Sequence, residues 1–267
     1  MPEGHTVHRI ANSFNELFAG KKLTIDSPQG RFTTSAKLIS GSKLTKAWAI
    51  GKQMFLDFDN GQTLRIHLGI YGKWRFVELE KGELPDVLGQ VRARFYTTKD
   101  MADLRGPTIC ELIEPHELTK LENRLGPDPL NPDDGTQFKR FQKNISTSKT
   151  AIGLLLMNQD VISGIGNVYR AEILYRAKIN PHTPGNQLTP KQIRELWKDS
   201  VQLLALGVIH GVMLTRDGYL DEDPGKPERH HVYKRNGEPC RKCRTHIVLE
   251  VMAGRKLYFC PKCQKSN

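Results

Sequence analysis

Two cysteine pairs near the C-terminus read Cys240-Arg-Lys-Cys243 and Cys260-Pro-Lys-Cys263, with 16 residues between them. Four thiolates at this spacing satisfy the tetrahedral preference of zinc. Two disulfides are the alternative, but the N-terminal residues 1–5 lack the basic and apolar regions of a secretion signal, so a cytoplasmic protein is expected. The sequence therefore predicts one structural Zn²⁺ ion, with no ligand position left for a catalytic water.

The segment between the cysteine pairs predicts a β-hairpin, with strands Ile247–Met252 and Lys256–Phe259 and Arg255 at or beside its tip. Residues 226–267 hold 11 Lys/Arg against 3 Asp/Glu and so carry most of the net charge of +11. Clustered cations on a ribbon favour contact with phosphates. A solubilising basic tail with a solvated surface arginine is the alternative.

The N-terminal residues predict an amphipathic helix, because apolar side chains recur at helical spacing from Val7 to Phe18 and Gly20 follows as a stop signal. Packing of this helix would hold the chain terminus in place. Removal of Met1 would leave Pro2 with a secondary amine, and an α-amine has a pKa near 8 that a helix N-terminus lowers further. Such an amine is a nucleophile, and Glu3 could shuttle protons beside it. On these residues alone, an ordinary N-terminal sequence is the favoured interpretation.

Short β-like runs follow between Leu23 and Ile113 and predict an antiparallel sandwich or barrel. Asn60-Gly61 predicts a two-residue hairpin turn between Met54–Asp59 and Gln62–His67. Cys110, which stands outside the two pairs, is expected to be a small buried hydrophobe. The further predicted strands are Lys43–Ile50, Lys73–Leu79, Val91–Thr97 and Thr108–Ile113.

The second half of the chain is predicted to be helical. Helices are expected over Ala151–Asn158, over Asn167–Lys178 and from Pro190 onward, the last with Thr189 as N-cap. Gly164 and Gly166 precede Asn167, a good helix cap, and free N–H groups at such a helix start bind phosphate. An ordinary helix–turn–helix corner is the alternative explanation.

The fold class expected from these patterns is α+β. The predicted domains are a β-sandwich with a leading helix at 1–125, a hinge rich in proline and glycine at 126–135, a helical domain at 136–225 and a zinc hairpin at 226–267. Residues 215–237 are expected to form a polar loop. No apolar run is long enough to span a membrane, and a monomer is expected.

Six motifs in this order resemble the formamidopyrimidine-DNA glycosylase/endonuclease VIII family of bacterial base-excision enzymes, and the resemblance covers essentially the whole chain. The motifs are Met1-Pro-Glu-Gly4, Gly51-Lys52, His67-Leu-Gly-Ile-Tyr-Gly72, Arg124-Leu-Gly-Pro-Asp128, Gly164-Ile-Gly-Asn-Val-Tyr-Arg-Ala-Glu172, and Gly254-Arg255 with Cys260-Pro-Lys-Cys-Gln264. The resemblance implies a bifunctional glycosylase and abasic-site lyase that binds damaged duplex DNA and has a helix–two-turn–helix domain.

The resemblance also implies catalytic roles for four residues. Pro2 would be the Schiff-base nucleophile and Glu3 its acid/base partner. Lys52 would contact the phosphate near the lesion and assist β-elimination, while Arg255 would grip the flanking phosphate and assist δ-elimination.

The expected DNA-binding residues are His67, Ile70, Tyr71, Arg124 and Asn167. Arg124 and Asn167 resemble phosphate contacts, and DNA would lie across a cleft between the domains. Ile70 and Tyr71 are placed to fill the gap that an extruded nucleotide leaves, although packing in the core is their alternative role.

The lesion class is divided between two branches of the family. Tyr71-Gly72-Lys73-Trp74 resembles the endonuclease VIII branch, which favours oxidised pyrimidines, although Gly69 stands where that branch often has a polar side chain. The alternative is the same chemistry on 8-oxoguanine and formamidopyrimidines. Two further alternatives are a non-catalytic zinc-dependent DNA-binding protein and, less favoured, an RNA-binding zinc ribbon.

Overall fold

A computed structural model of the chain describes residues 2–265. The chain divides between residues 123 and 124 into two compact units. Each unit has its own apolar core, and the two are described separately.

The first unit is an antiparallel β-sandwich of two four-stranded sheets, with strand orders β1-β6-β7-β5 and β2-β3-β4-β8. This confirms the predicted antiparallel architecture. Inward-facing side chains of both sheets form one core. The strands are β1 (Thr24–Asp26), β2 (Leu44–Ile50), β3 (Gln53–Phe58), β4 (Thr63–His67), β5 (Lys73–Glu78), β6 (Val91–Tyr96), β7 (Asp100–Arg105) and β8 (Ile109–Ile113).

Helices α1 (Gly4–Phe18), α2 (Thr33–Ile39) and α3 (Pro115–Arg124) accompany these sheets. The predicted N-terminal helix is confirmed as α1, whose apolar face is buried in the sandwich core. Phe14 lies at the centre of that face, and its ring packs within 4.7–5.7 Å of four other aromatic rings. The four rings are those of Phe18, Trp74, Phe76 and Phe95.

The predicted hairpin between β3 and β4 is present, but its loop is longer than the two residues expected. The Phe58 amide donates to the Gln62 carbonyl, which leaves residues 59–61 in the loop. Gly61 takes the left-handed conformation at φ 83°. Asn60 does not, because its side-chain amide instead donates to the Leu38 carbonyl.

One inner strand, β7, was not predicted because charged residues interrupt its apolar pattern. Asp103 on β7 is buried and accepts two hydrogen bonds, at 2.7 and 2.8 Å, from buried Arg94 on the neighbouring β6. The pairing of the two charges makes their burial tolerable, and the single sequence gives no sign of the partner.

The second unit combines four helices with a terminal hairpin. The helices are α4 (Thr136–Ser146), α5 (Ile152–Leu155), α6 (Asn167–Arg176) and α7 (Pro190–His210), and the hairpin strands are β9 (Val248–Met252) and β10 (Arg255–Phe259). The loop between α7 and β9 holds two 3₁₀ turns, at Asp217–Tyr219 and Lys226–Glu228. Within residues 2–265, no helix is both long enough and apolar enough to cross a membrane.

The helix boundaries differ from the sequence predictions at specific places. Helix α5 ends at Leu155, short of the predicted Asn158, and the Asn158 side chain accepts from the Asp160 amide in the turn that follows. The start of α7 is confirmed, since Thr189 and Gln192 form a capping box and Pro190 is the first helical residue.

The stretch predicted as a hinge, residues 126–135, belongs to the second unit. Its first half is buried, and the Gly126 amide donates to the Gln159 carbonyl at 2.8 Å. A Cβ atom at Gly126 would lie 2.5 Å from the Val161 backbone, so only glycine fits this close approach.

Candidate active site and nucleic-acid interface

Pro2 and Glu3 lie directly before the first turn of α1. Glu3 is the N-cap residue, and its carbonyl accepts hydrogen bonds from the Thr6 and Val7 amides at 3.0 and 3.4 Å. The Glu3 side chain is completely buried, whereas Pro2 is half-buried. The backbone of this pair is thus tied to the positive end of a 15-residue helix.

A polar contact complements the apolar packing that holds α1 in place. The Asn15 side chain donates to the Ala47 carbonyl and accepts from the Ala47 amide, both at 2.7 Å. Ala47 lies in β2, so the helix is joined to a strand backbone by two hydrogen bonds. Together with the burial of Phe14, this contact restrains the helix that carries Pro2 and Glu3.

His5 is almost completely buried two residues beyond Glu3. Burial, followed by nearby positive charges that include Arg9, lowers the pKa of His5 to about 4. The imidazole is therefore neutral at physiological pH and adds no positive charge beside Pro2 and Glu3.

Lys52 and His67 come together at one edge of the second sheet. Gly51-Lys52 forms the two-residue turn between β2 and β3, with Gly51 at φ 58°. Gln53, the first residue of β3, pairs with His67 at the end of β4. The pKa of His67 is lowered first by burial and next by the positive charge of Lys52. This edge therefore presents the Lys52 ammonium next to a histidine that favours its neutral form.

Ile70 and Tyr71 lie at the tip of the tight turn that follows β4. They are 57% and 83% exposed, so packing in the core is excluded as their role. The turn depends on Gly69 and Gly72, because a Cβ atom would lie 1.9 Å from the Thr108 hydroxyl oxygen at the first and 2.3 Å from the Leu68 carbonyl oxygen at the second. Two apolar side chains are thus displayed on a backbone that only glycine permits.

In the second unit, Asn167 contacts the zinc-finger hairpin instead of capping its own helix. Gly166 is the N-cap of α6, so the predicted capping role of Asn167 is wrong. The Asn167 amide donates to the Lys256 carbonyl at 2.8 Å. Buried Arg170, whose importance the sequence analysis missed, donates to both the Asn167 side chain and the same carbonyl, at 2.5 and 3.0 Å.

Arg255 is the first residue of β10 and lies directly before the carbonyl group that Asn167 and Arg170 bind. The turn between β9 and β10 is Ala253-Gly254, with positive φ angles of 47° and 72° at the two residues. These angles are typical of a type I′ turn. The exposed Arg255 side chain is therefore carried on a short hairpin whose backbone is fixed to the start of α6.

The ligand atoms of Cys240, Cys243, Cys260 and Cys263 all lie within 4.8 Å of one another. Two of their sulfur–sulfur distances are 3.9 and 3.4 Å. A tetrahedral site with Zn–S bonds of about 2.3 Å requires edges of roughly 3.8 Å. The geometry therefore fits the structural zinc ion that the spacing predicts. Buried Gln264 joins this cluster to the helical core, because its side chain accepts from the Cys260 amide and donates to the Ile179 carbonyl.

Arg124 ends α3 and is exposed on the second unit. Its guanidinium lies 3.7 Å from the Asp160 carboxylate, and both side chains are more than half exposed. Such an ion pair is weak, so Arg124 remains available to an external anion.

Glu172, in the middle of α6, is a second buried residue whose role was missed. Its carboxylate accepts hydrogen bonds from the backbone amides of residues 231–233 and from the Thr215 hydroxyl, at 2.7–2.8 Å. These donors lie at both ends of the loop that was predicted over 215–237. The signal in the sequence was a carboxylate between the apolar residues Ala171 and Ile173 of a helix.

Models of known protein families match three successive regions of the chain. Residues 1–108 match the formamidopyrimidine-DNA glycosylase N-terminal domain, residues 125–217 match the formamidopyrimidine-DNA glycosylase H2TH domain, and residues 237–265 match a zinc finger found in FPG and IleRS.

Whole-length relatives extend this result. Endonuclease 8 1 of Mycobacterium tuberculosis is 40% identical over 272 residues, which cover 99% of this chain and 100% of the relative. Formamidopyrimidine-DNA glycosylase of Chloroflexus aurantiacus is 33% identical, over 99% and 98% of the two chains. The Lactococcus lactis Fpg, solved as a complex with DNA that contains an abasic site, has the same fold, with a TM-score of 0.82 at 23% identity over 99% and 100% of the two chains.

Proposed function

Because the chain belongs to the formamidopyrimidine-DNA glycosylase/endonuclease VIII family of DNA glycosylases and abasic-site lyases, we propose that it excises oxidised bases, preferentially pyrimidines, through a Schiff base on Pro2. The observation that carries this proposal is the restrained Pro2–Glu3 pair at the start of α1. A nucleophile that attacks one sugar carbon needs a fixed position, and the packing of α1 supplies it.

The proposed first step uses the neutral Pro2 amine of a chain from which Met1 has been removed. Its lone pair forms a bond to C1′ of the damaged nucleotide while the bond from C1′ to the base breaks and the base leaves. The departing base takes up a proton, and the Pro2 nitrogen releases its N–H proton. The nitrogen lone pair then forms the iminium as the bond from C1′ to the ring oxygen breaks and the ring oxygen takes up a proton. Glu3, adjacent in the chain and shielded from solvent, is the proposed acid/base group for these transfers.

The proposed later steps cleave the strand on both sides of the sugar. The iminium acidifies the C2′ proton, and its removal expels the 3′ phosphate in β-elimination. A second elimination expels the 5′ phosphate. Lys52 and Arg255 are the proposed groups that bind these phosphates and stabilise them as leaving groups.

Extrusion of the nucleotide is proposed to involve the exposed pair Ile70 and Tyr71. Unstacking a base costs a few kcal/mol, and apolar side chains inserted into the gap offset part of that cost. We further propose that Arg124, Asn167 and His67 contact the DNA, the first two at phosphates. A single zinc ion on the four cysteines would hold the hairpin that carries Arg255 and would supply no chemistry of its own.

The pyrimidine preference is supported by the greater identity to Endonuclease 8 1, 40%, than to the Chloroflexus formamidopyrimidine-DNA glycosylase, 33%. The similarity to the Chloroflexus formamidopyrimidine-DNA glycosylase nevertheless keeps 8-oxoguanine and formamidopyrimidines as the alternative lesion class for this chain. Duplexes with thymine glycol, dihydrouracil, 5-hydroxycytosine or 8-oxoguanine decide between them. Faster excision of the three pyrimidines is expected, and faster excision of 8-oxoguanine would reverse the assignment.

Borohydride trapping on abasic duplex DNA tests the chemistry. We expect the wild-type chain to form a covalent adduct and Pro2→Gly to form little, with Pro28→Gly as a control that removes a proline elsewhere in the first unit. Equal trapping by Pro2→Gly would contradict the proline mechanism. Binding of the duplex without any adduct or nick by the wild type would favour the non-catalytic DNA-binding protein instead.

A further inference from the structure

A basic cavity of about 880 Å³ lies in the second unit, and none of the residues proposed to contact DNA is in its lining. It is lined by the C-terminal end of α6, the first half of α7, part of the loop between α7 and β9, the residues Arg241 and Lys242 between the first two cysteines, and Cys263. Helix α6 is 10 residues long, so its C-terminal end is roughly 15 Å from Asn167 at its N-terminus. The cavity is in the size range of sites that enclose a ligand or a peptide segment.

The charge of the cavity wall is unbalanced. Four exposed lysines line it, and none forms an ion pair with another residue in the range 2–265: Lys178, Lys191, Lys198 and Lys242. The acidic lining groups Asp199 and Asp217 are both bound by Arg176, at 2.7 and 2.6 Å. Because Arg176 offsets one of these two negative charges, the other one and that of Glu195 stand against four ammonium groups, and the lining keeps a net positive charge. Such a wall attracts an anionic ligand.

Lys178 occupies a backbone position that disfavours lysine. It follows the C-cap of α6 and closes a Schellman motif, in which its amide donates to the Tyr175 carbonyl and the Ile179 amide donates to the Leu174 carbonyl. Its φ of 56° is left-handed, a conformation in which glycine or asparagine is the usual residue. A lysine here costs helix stability and places an ammonium group at the cavity, which is consistent with a function for the side chain.

The unpaired cations indicate which kind of anion the cavity suits. Bidentate recognition of a phosphate uses the planar guanidinium of arginine, but both arginines of this wall are occupied, Arg176 by the two aspartates and Arg241 by Glu228, so lysine point charges remain. The free groups are ammonium ions from α7 and from two loops, together with the side-chain amide of Gln202, while the side-chain oxygen of Gln192, also in the lining, caps α7. Spaced point charges with an amide suit several carboxylates on a peptide backbone. A concave cavity also excludes the convex surface of duplex DNA.

We propose that this cavity is a docking site for an acidic peptide segment of a partner protein. Its carboxylates would pair with the four lysines and its backbone would contact Gln202. The site is separate from the glycosylase chemistry and does not depend on it.

Binding of fluorescein-labelled octaglutamate to the full chain at physiological salt tests the proposal. We expect Lys178→Gly/Lys198→Ala to weaken binding by about tenfold or more, because two ion pairs are lost. Lys37→Ala/Lys46→Ala, with the same change of net charge in the first unit, should weaken it by less than about threefold. Since Lys178→Gly relieves the left-handed backbone, the cavity variant should keep its thermal stability and its trapping of abasic DNA.

Zero-length carbodiimide cross-linking locates the peptide, because it joins carboxylates to lysines in direct contact. Cross-links concentrated at the four lining lysines would support the proposal. Cross-links spread over the surface, or equal weakening by the two double variants, would overturn it. Tighter binding of a single-stranded oligonucleotide to the same lysines, or displacement of the peptide by abasic duplex, would assign the cavity to nucleic acid and would also overturn it.

Discussion

The two units hold their candidate functional residues by different physical means. In the first unit, Pro2 and Glu3 are positioned by the apolar face of α1, with Phe14 packed among four aromatic rings. In the second unit, Asn167 and the hairpin that carries Arg255 are positioned by buried polar groups, with Arg170 bound to the Lys256 carbonyl and four thiolates arranged for a metal ion.

The difference follows from the size of each core. A two-sheet sandwich supplies enough apolar surface to fix a helix mainly by packing, with the Asn15–Ala47 hydrogen bonds in addition. A terminal hairpin of two five-residue strands buries a much smaller apolar cluster, around Leu257 and Phe259, so hydrogen bonds and metal ligation must add to it. The helix that carries Pro2 and the hairpin that carries Arg255 should consequently lose their positions under different perturbations. A change that acts on one of them should leave the other as an internal reference.

Removal of zinc should have the largest effect and should be confined to the second unit. Structural zinc contributes about 10–16 kcal/mol to zinc-finger peptides, so chelation or Cys260→Ser should release β9 and β10 and weaken binding of abasic duplex by about 100-fold. Hydrogen exchange followed by mass spectrometry measures both regions. Cys110→Ser is the control, because Cys110 lies outside the metal cluster. Retained protection of the hairpin after chelation would contradict the account.

Truncation of Phe14 should affect the first unit and leave the zinc hairpin of the second unit unchanged. Phe14→Ala removes a completely buried ring and should lower the free energy of unfolding of the first unit by about 3–5 kcal/mol, with loss of borohydride trapping and no loss of bound zinc. Phe141→Ala, at an equally buried ring in the second unit, is the matched variant. Urea unfolding should show the loss of stability in the first unit for Phe14→Ala and in the second unit for Phe141→Ala, and metal analysis should show loss of zinc only for Phe141→Ala. The same result for both variants would show that the units do not respond separately.

Acidification should weaken the first unit through His5. Its pKa is lowered from 6.5 to about 4 by burial, so between these values the unfolded chain binds a proton that the folded chain excludes. The contribution of His5 to the free energy of unfolding is therefore fully present above pH 6.5 and is lost as the pH falls towards 4. At 1.36 kcal/mol per pKa unit, the loss is up to about 3 kcal/mol. The free energy of unfolding, measured from pH 7 to pH 4.5, should fall less steeply with pH in His5→Gln than in the wild-type protein. An unchanged slope would show that another group is responsible.

Replacement of Arg124 should have the smallest effect on stability. Its ion pair with Asp160 is exposed, so Arg124→Ala should change the free energy of unfolding by less than about 1 kcal/mol. If Arg124 contacts a phosphate, the same variant should reduce the slope of log affinity against log salt by about one. Asp160→Ala breaks the same ion pair and should leave that slope unchanged. A similar decrease of the salt slope in both variants would show that Arg124 does not contact the DNA.

Apolar periodicity and cysteine spacing predicted α1, the antiparallel sandwich and the four-thiolate cluster, because these depend on patterns local in sequence. Strand β7 escaped prediction because its aspartate pairs with an arginine on another strand. Asn167 was identified as functional, but its contact with the Lys256 carbonyl joins residues 89 positions apart. The same holds for Arg170 and Glu172, whose partners come from distant segments that a single sequence does not identify.

The central claim is that the mature chain begins with Pro2 and that its amine attacks the sugar. Mass mapping of the borohydride-trapped adduct tests this most directly. The account predicts a chain that lacks Met1 and carries the DNA remnant on the nitrogen of Pro2. An adduct on a lysine such as Lys52, or full trapping by protein that retains Met1, would contradict it.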